Sequence, residues 1–382
     1  ALAAKKDKHA YRTYVLLGDS ECSEGSVWEA AQFASYYKLN NLCAIVDVNK
    51  LGQRGETMLA HNLEAYKKRF ESFGWTAFVT SGHRISDILA SYKKARSSKK
   101  PTVILAKTVK GKGVSFLEGK QGWHGKVLAP EELEQAYKEL PEISMPALKH
   151  ITHTLHTYTI PEIKIAPVTS YVQQLPIATR EAYGKALARL ATDNPKVLAL
   201  DAEVSNSTYA EKVKDRVPSQ FIECFIEEQT MIGVAQGLAI KGHRVFASTF
   251  AAFLPRAHDQ IRMAALSGTS MTICGSHAGV SVGEDGPSQM GLEDIALFRA
   301  LPESTVLYPA DAVAAERLVQ LAASNPGITY IRTTRPKTSL IYNEKEEFIL
   351  NDFKIIKLSN NDSAVLVGAG ITLHESLKAH DI

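Results

Sequence analysis

Asp19 and Asn49 stand with 29 residues between them, and each follows an apolar run that reads as a buried strand. Residues 14–17 lead into Gly18-Asp19-Ser20, and residues 42–48 lead into Asn49-Lys-Leu51-Gly52. Open α/β sheets bind ligands at loops beyond the carboxyl ends of their strands. One carboxylate and one amide oxygen from two such loops suit a hard divalent cation, with water or phosphate oxygens completing its octahedron. A helix opening near Ser23-Glu24-Gly25 would add free N–H groups for a diphosphate. Gly-Asp-x alone is an ordinary turn, so the pairing with Asn49 is what gives it chemical meaning.

Other candidates have plain readings when taken singly. Glu227-Glu228 reads as a solvated acidic pair, and Phe250 and Phe253, three apart, as core packing. His124 and His277 are suited by residue type to moving protons near neutral pH. An arginine offers phosphate a planar fork of donors, although most arginines are only surface charge.

These residues need elements to position them, and the chain supplies a regular alternation. Strand candidates fall at 14–17, 42–48, 76–79 and 102–106, then at 197–200, 245–248, 271–274, 305–307 and 329–331. Helical periodicity lies between them, including Val27, Ala30, Ala31, Ala34 and Tyr37, then Ile85, Ile88 and Leu89, and later 181–190 and 312–322. This pattern predicts an α/β protein with doubly wound, mostly parallel sheets. Pro141, Pro146, Pro161, Pro167 and Pro176 break every period between the two blocks. The expected organisation is one domain over 1–139, a linker over 140–176, a second domain over 177–345, and the start of a third α/β domain over 346–382. The apolar run 364–370 is expected to open that third unit as a strand, followed by a helix over 372–380. Gly368-Ala-Gly370 is too short a signature for a dinucleotide site. Ala1-Leu-Ala-Ala-Lys-Lys reads as the last turns of a helix, and the sequence reads as an internal fragment of a longer polypeptide.

Composition narrows the function classes. With Lys+Arg 44 against Asp+Glu 41, the net charge of +3 in 382 residues gives no field for nucleic acid or an anionic membrane. No apolar run approaches the roughly 18 residues of a spanning helix. Cys22, Cys43, Cys224 and Cys274 lie far apart, as suits reduced thiols in a cytoplasmic protein better than a disulfide frame.

The Gly18-Asp19…Asn49 pairing resembles the thiamin-diphosphate-binding motif, and further segments are similar to the animal transketolase family. They are Leu16-Leu-Gly-Asp-Ser-Glu-Cys-Ser-Glu-Gly-Ser-Val-Trp-Glu-Ala30, Lys107-Thr-Val-Lys-Gly-Lys-Gly113, Trp123-His-Gly125 and Phe225-Ile-Glu-Glu-Gln229. Ser248-Thr-Phe-Ala-Ala-Phe253, Cys274-Gly-Ser-His277, Gly283-Glu-Asp-Gly-Pro-Ser-Gln289 and Ile331-Arg-Thr-Thr-Arg-Pro336 complete the set. The resemblance implies two thiamin-diphosphate-binding domains, one for the diphosphate and one for the pyrimidine. It also implies reversible transfer of a two-carbon ketol unit from a ketose phosphate to an aldose phosphate through a thiamin adduct, in the pentose phosphate pathway. Sites in this family form between the subunits of a homodimer.

Carried over by motif, Asp19, Asn49 and the Leu51 carbonyl hold Mg2+ or Ca2+. Ser20, Lys110, His124, Phe250, Phe253 and Gln289 contact the cofactor, with Phe253 against the aminopyrimidine. Glu228 is the acid on the pyrimidine nitrogen, expected to be buried with no cation nearby and so to keep its proton. His124 and His277 are the further catalytic groups and touch the sugar, with Asp285 accepting from a hydroxyl. Arg180, Ser207 and Arg335 grip phosphate; Arg335 is preferred to Arg332, because alternation along a strand turns the two apart. Glu24 and Glu29 fall where the family carries acidic residues near the subunit interface. The sequence departs from the family at Ser20, where glycine is usual, which predicts crowding of the diphosphate. The related deoxyxylulose-phosphate synthases are disfavoured by residues 23–28 and 123–125. If the 382 residues were the whole product, a non-catalytic cofactor-binding or dimerising module is the expectation.

Overall fold

The computed structural model describes residues 1–142, 161–169, 171 and 175–382. It divides into two compact units, Ala1–His156 and Thr157–Ile382.

The first unit is built on four parallel strands: β1 (Thr13–Gly18), β2 (Leu42–Val48), β3 (Thr76–Ser81) and β4 (Thr102–Lys107), in the order β1-β2-β4-β3. Alternation along β2 sends its side chains to two faces. Ala44, Val46 and Val48 pack with Ala31, Ala34, Tyr66 and Phe70, whereas Cys43 packs with Ala95 and Ile104. Tyr66 and Phe70 lie four apart on helix Leu63–Ser72, so both meet the sheet. Asn62 starts that helix by accepting from the Ala65 N–H (3.1 Å), and Gly74, at φ +85°, follows its end. Full burial of an aromatic such as Phe70 contributes about 1.5–3 kcal/mol.

The second unit carries six parallel strands: β6 (Val197–Asp201), β7 (Phe221–Glu223), β8 (Arg244–Phe250), β9 (Met271–Ser276), β10 (Thr305–Leu307) and β11 (Ile328–Arg332). Their order is β10-β11-β9-β8-β6-β7. A two-residue antiparallel pair, β5 (Ile177–Ala178) with β12 (Lys337–Thr338), sits outside this sheet. Central strands are apolar on both faces, as parallel sheets require. Helix Ala312–Ser324 starts at Asp311, whose Oδ1 accepts from Ala314 N (2.8 Å) and whose Oδ2 accepts from Ile341 and Tyr342 N. Buried Arg244 closes its other end by donating to the carbonyls of Ala322 and Asn325.

Much of the expected linker, including Pro146, lies outside the described residues. Residues 140–142 fall in the first unit, while the described residues from 161 on belong with the second: Lys164 exchanges two hydrogen bonds with Asn194, and Thr169 N donates to Glu316. The run 364–370 corrects one expectation. It forms no strand, and Val365, Leu366 and Val367 are exposed. Apolarity alone makes no strand without a neighbour to take its N–H and C=O groups. Helix Ile371–His380 does form, and His374 Nε2 lies 2.8 Å from the Ala310 carbonyl of the second unit.

Candidate active site

In the first unit, parallel pairing of β1 with β2 sets Gly18 opposite Asp47, so the loops carrying Asp19 and Asn49 leave the sheet side by side. Asp19 is 3% exposed; its Oδ2 accepts from Lys50 N (2.7 Å) and Thr57 Oγ1 (3.2 Å). Asn49 accepts from Leu51 N (3.0 Å) and donates to Asp47 Oδ2 (3.3 Å), which aims its amide. Thr108 holds the other Asp47 oxygen. Burial raises the pKa of Asp19 first, and the Asp47 carboxylate adds to the rise, against the bonds from Lys50 and Thr57. Two acidic side chains and an amide, all offering oxygen, favour a hard divalent cation. Among the described residues no three His, Cys, Asp or Glu side chains gather into a self-sufficient metal cage. The donor set therefore fits an ion that takes its remaining oxygens from a diphosphate.

Ser20 shows why a residue other than glycine stands there. Its backbone is right-handed helical (φ −61°, ψ −40°), a conformation open to any residue. Its hydroxyl lies against Gly52, 3.2 Å from where a Cβ on Gly52 would sit. After a turn of 3-10 helix at Glu21–Ser23, helix Gly25–Tyr36 begins with Glu24 accepting from Ser26 N (3.1 Å). Further along, Lys110 Nζ and His124 Nδ1 meet at 3.2 Å. The loop before them is fixed where His83 accepts from Val109 N (2.8 Å).

In the second unit, Phe250, Phe253, His277, Arg180 and Ser207 come together. The rings of Phe250 and Phe253 stack at 5.1 Å, and Phe250 stacks on His277 at 3.9 Å. Arg180 Nη1 donates to the Ser207 carbonyl (2.8 Å) and approaches His277 Nε2 (3.2 Å). Because an arginine can only donate, His277 Nε2 accepts, and Nδ1 carries the proton toward Ser276 Oγ (3.0 Å). Burial, then the charges of Arg180 and Arg335, lower the His277 pKa to about 4. His277 is thus a neutral imidazole at neutral pH. Gly184 makes this packing feasible, since a Cβ there would lie 2.3 Å from the Tyr209 carbonyl oxygen. Tyr209 in turn puts its ring beneath Arg180.

Arg335 is held by the expected acidic loop: Nη1 donates to Asp285 (3.1 Å) and the Val282 carbonyl (3.0 Å), and Nη2 to Glu284 (2.5 Å). Gln289 lies on the following turn, its N–H on the Gly286 carbonyl. Arg332 is employed elsewhere, on Asp294 (2.8 Å) and the Gly291 carbonyl (3.0 Å).

Glu228 requires a correction. Both it and Glu227 are buried, so the pair is not a solvated one. Nor is Glu228 free of cations: Arg256 Nη1 lies 2.5 Å from its Oε2. Arg256 comes three residues after Phe253, on a short turn over Leu254–Ala257. Sequence reasoning missed it, along with Thr57, Asp47 and Thr108. Only Asp47 left a signal, as the acidic end of an otherwise apolar strand.

The comparisons agree with this geometry. Residues 3–150 match the family described as transketolase, thiamine diphosphate binding domain, and residues 176–339 match transketolase, pyrimidine binding domain. The chain is 47% identical to transketolase of Homo sapiens over 98% of its own length and 61% of that protein's. It is 46% identical to transketolase-like protein 1 of Bos taurus, over 98% of this chain and 64% of that one. A crystal structure of transketolase from Campylobacter jejuni superposes with a TM-score of 0.75 at 26% identity, over 88% of this chain and 59% of that one. The chain thus spans about three-fifths of the length of the curated relatives it matches. With one domain for the diphosphate and one for the pyrimidine, it belongs to the transketolase family.

Proposed function

We propose that this protein transfers a two-carbon ketol unit reversibly between a ketose phosphate and an aldose phosphate, as a cytoplasmic homodimer serving the pentose phosphate pathway. The observation that carries this reading is the pairing of β1 with β2, which sets the Asp19 and Asn49 loops side by side with Asp19 fixed on Lys50 N at 2.7 Å. Asp19, Asn49 and the Leu51 carbonyl would hold Mg2+ or Ca2+, and Lys110 and His124 would face the diphosphate. Bound thiamine diphosphate would supply the carbanion-stabilising chemistry that such a transfer needs. Glu228 would bond the pyrimidine nitrogen, and Phe253 would offer its ring face to the pyrimidine. His277 would line the pocket beside a substrate hydroxyl, with Asp285 accepting from that hydroxyl, while Arg180 and Arg335 attract the phosphate end.

The test is a transfer assay with thiamine diphosphate and magnesium, a ketose phosphate donor and an aldose phosphate acceptor. Transfer is expected with that donor and not with pyruvate. Turnover of pyruvate, or tight cofactor binding with no transfer from any ketose phosphate, overturns the reading; the second result identifies a cofactor-binding module. Ser20→Gly is expected to change the calorimetric affinity for thiamine diphosphate less than about threefold, since glycine is not needed for the backbone there. Tightening by about tenfold would show that the hydroxymethyl group obstructs the cofactor.

A further inference from the structure

We propose that Arg256 is a positioning residue that keeps Glu228 a carboxylate until the cofactor's pyrimidine ring arrives, so that cofactor capture takes up a proton. The inference rests on the reading of Glu228 as the group that meets that ring. Arg256 joins the two pieces a pyrimidine would touch. It sits one turn after Phe253 and bonds the Glu228 carboxylate, and its Nη1 also approaches the Ile226 carbonyl (3.4 Å) on the loop before the Glu228 helix. The guanidinium is about half exposed while the carboxylate is buried, so the cation can swing toward solvent and its partner cannot. Buried Glu227 next to Glu228 adds a second acidic group, which makes an ionised Glu228 dependent on its counter-ion.

The helix that Glu228 opens packs against β6, β8, β9, the Leu254–Ala257 turn and helix His258–Leu266. The charged groups on those elements are Asp201, Arg244, Arg256, His258, Asp259 and Arg262. Asp201 is bonded to Thr208 and Val204 N, Arg244 to helix carbonyls, and Asp259 to Arg262, while Arg256 is paired directly with Glu228. The proton balance follows. Before binding, the site holds a carboxylate and a guanidinium. Afterwards one proton, taken from solvent, lies in the hydrogen bond between Glu228 and the ring nitrogen, and Arg256 keeps its charge.

Binding of thiamine diphosphate with magnesium to the full-length protein is measured by calorimetry in buffers of different ionisation enthalpy, which counts protons. Arg256→Met is expected to bind with about one proton fewer than the wild type, and its affinity to rise less steeply as pH falls, by about tenfold per unit. Arg256→Lys is expected to restore the uptake, and Glu228→Gln to abolish it. Arg256→Gln, checked by circular dichroism, repeats the measurement should the methionine variant fold poorly. A mere strut would lower affinity and leave the proton count alone. An unchanged count in Arg256→Met, with uptake lost in Glu228→Gln, overturns the role of Arg256 alone. Uptake and affinity untouched in Glu228→Gln would instead overturn the placement of Glu228, and this inference with it.

Discussion

Asp19→Ala is expected to weaken binding of thiamine diphosphate with magnesium by about a hundredfold or more. Changing a side chain that merely supports a metal ligand typically costs ten- to a hundredfold, and Asp19 is read as a ligand itself. The loss has two parts, separable with Asp19→Asn. The amide keeps an oxygen for Lys50 N and Thr57 but not the charge. If charge on the ion dominates, both variants lose affinity alike; if Asp19 chiefly anchors the loop from 50 to 57, Asn retains most of it. Calorimetric titration reads both. Stability without ligand should move the other way. A carboxyl whose folded pKa is raised contributes stability that is full below its unfolded value and lost as pH rises through the folded one. At neutral pH the ionised Asp19 is therefore a burden in the free protein, and Asp19→Asn is expected to melt at the wild-type temperature or above it. Wild-type affinity in Asp19→Ala would remove the diphosphate loop from the mechanism.

Asp294→Ala is expected to destabilise the second unit by about 3–5 kcal/mol. Asp294 is fully buried, and its Oδ2 accepts from Tyr330 Oη (2.5 Å) and Arg332 Nε (2.8 Å). Arg332, itself buried, lies over the Tyr308 ring. Truncating the acid leaves a guanidinium without its counter-ion and a phenol without its acceptor, and the melting midpoint should fall by about 10 °C. Asp294→Ala combined with Arg332→Met should recover much of the loss, because replacing both partners of a buried pair by apolar groups is often neutral. A fall below about 1 kcal/mol in chemical unfolding would mean that the pair contributes little.

The sheets were legible because buried parallel strands are almost continuous apolar runs, and 42–48 and 305–307 emerge with those bounds. β7 escaped because three residues ending in Glu223 carry no period to read. The run 364–370 misled for the opposite reason, having the apolarity of a strand without a neighbour to pair with. Within the site, residue types gave the groups but not their partners. Nothing in the order Phe253-Leu-Pro-Arg256 says that the turn folds back onto Glu228, because that contact arises from packing between segments 28 residues apart. Taken singly, the adjacent acids Glu227 and Glu228 suggest solvent; the resemblance pointed to a buried Glu228, as found, but not to the cation beside it. At Ser20 the backbone is right-handed helical and makes no demand for glycine, and the expected crowding of the diphosphate is left to the Ser20→Gly titration.

The four cysteines have a practical consequence. All are free and buried, and burial raises every thiol: Cys22 and Cys43 to about 11, Cys274 to about 12, and Cys224 well above its ordinary value. Thiolate is the form that alkylating reagents attack, so the native chain presents almost none of it at neutral pH. A cysteine placed at exposed Ala30, on the helix that carries Glu29, would be the fast-reacting thiol of the molecule. The protein thus offers a silent background for attaching a fluorophore or spin label, without first stripping out its own sulfur.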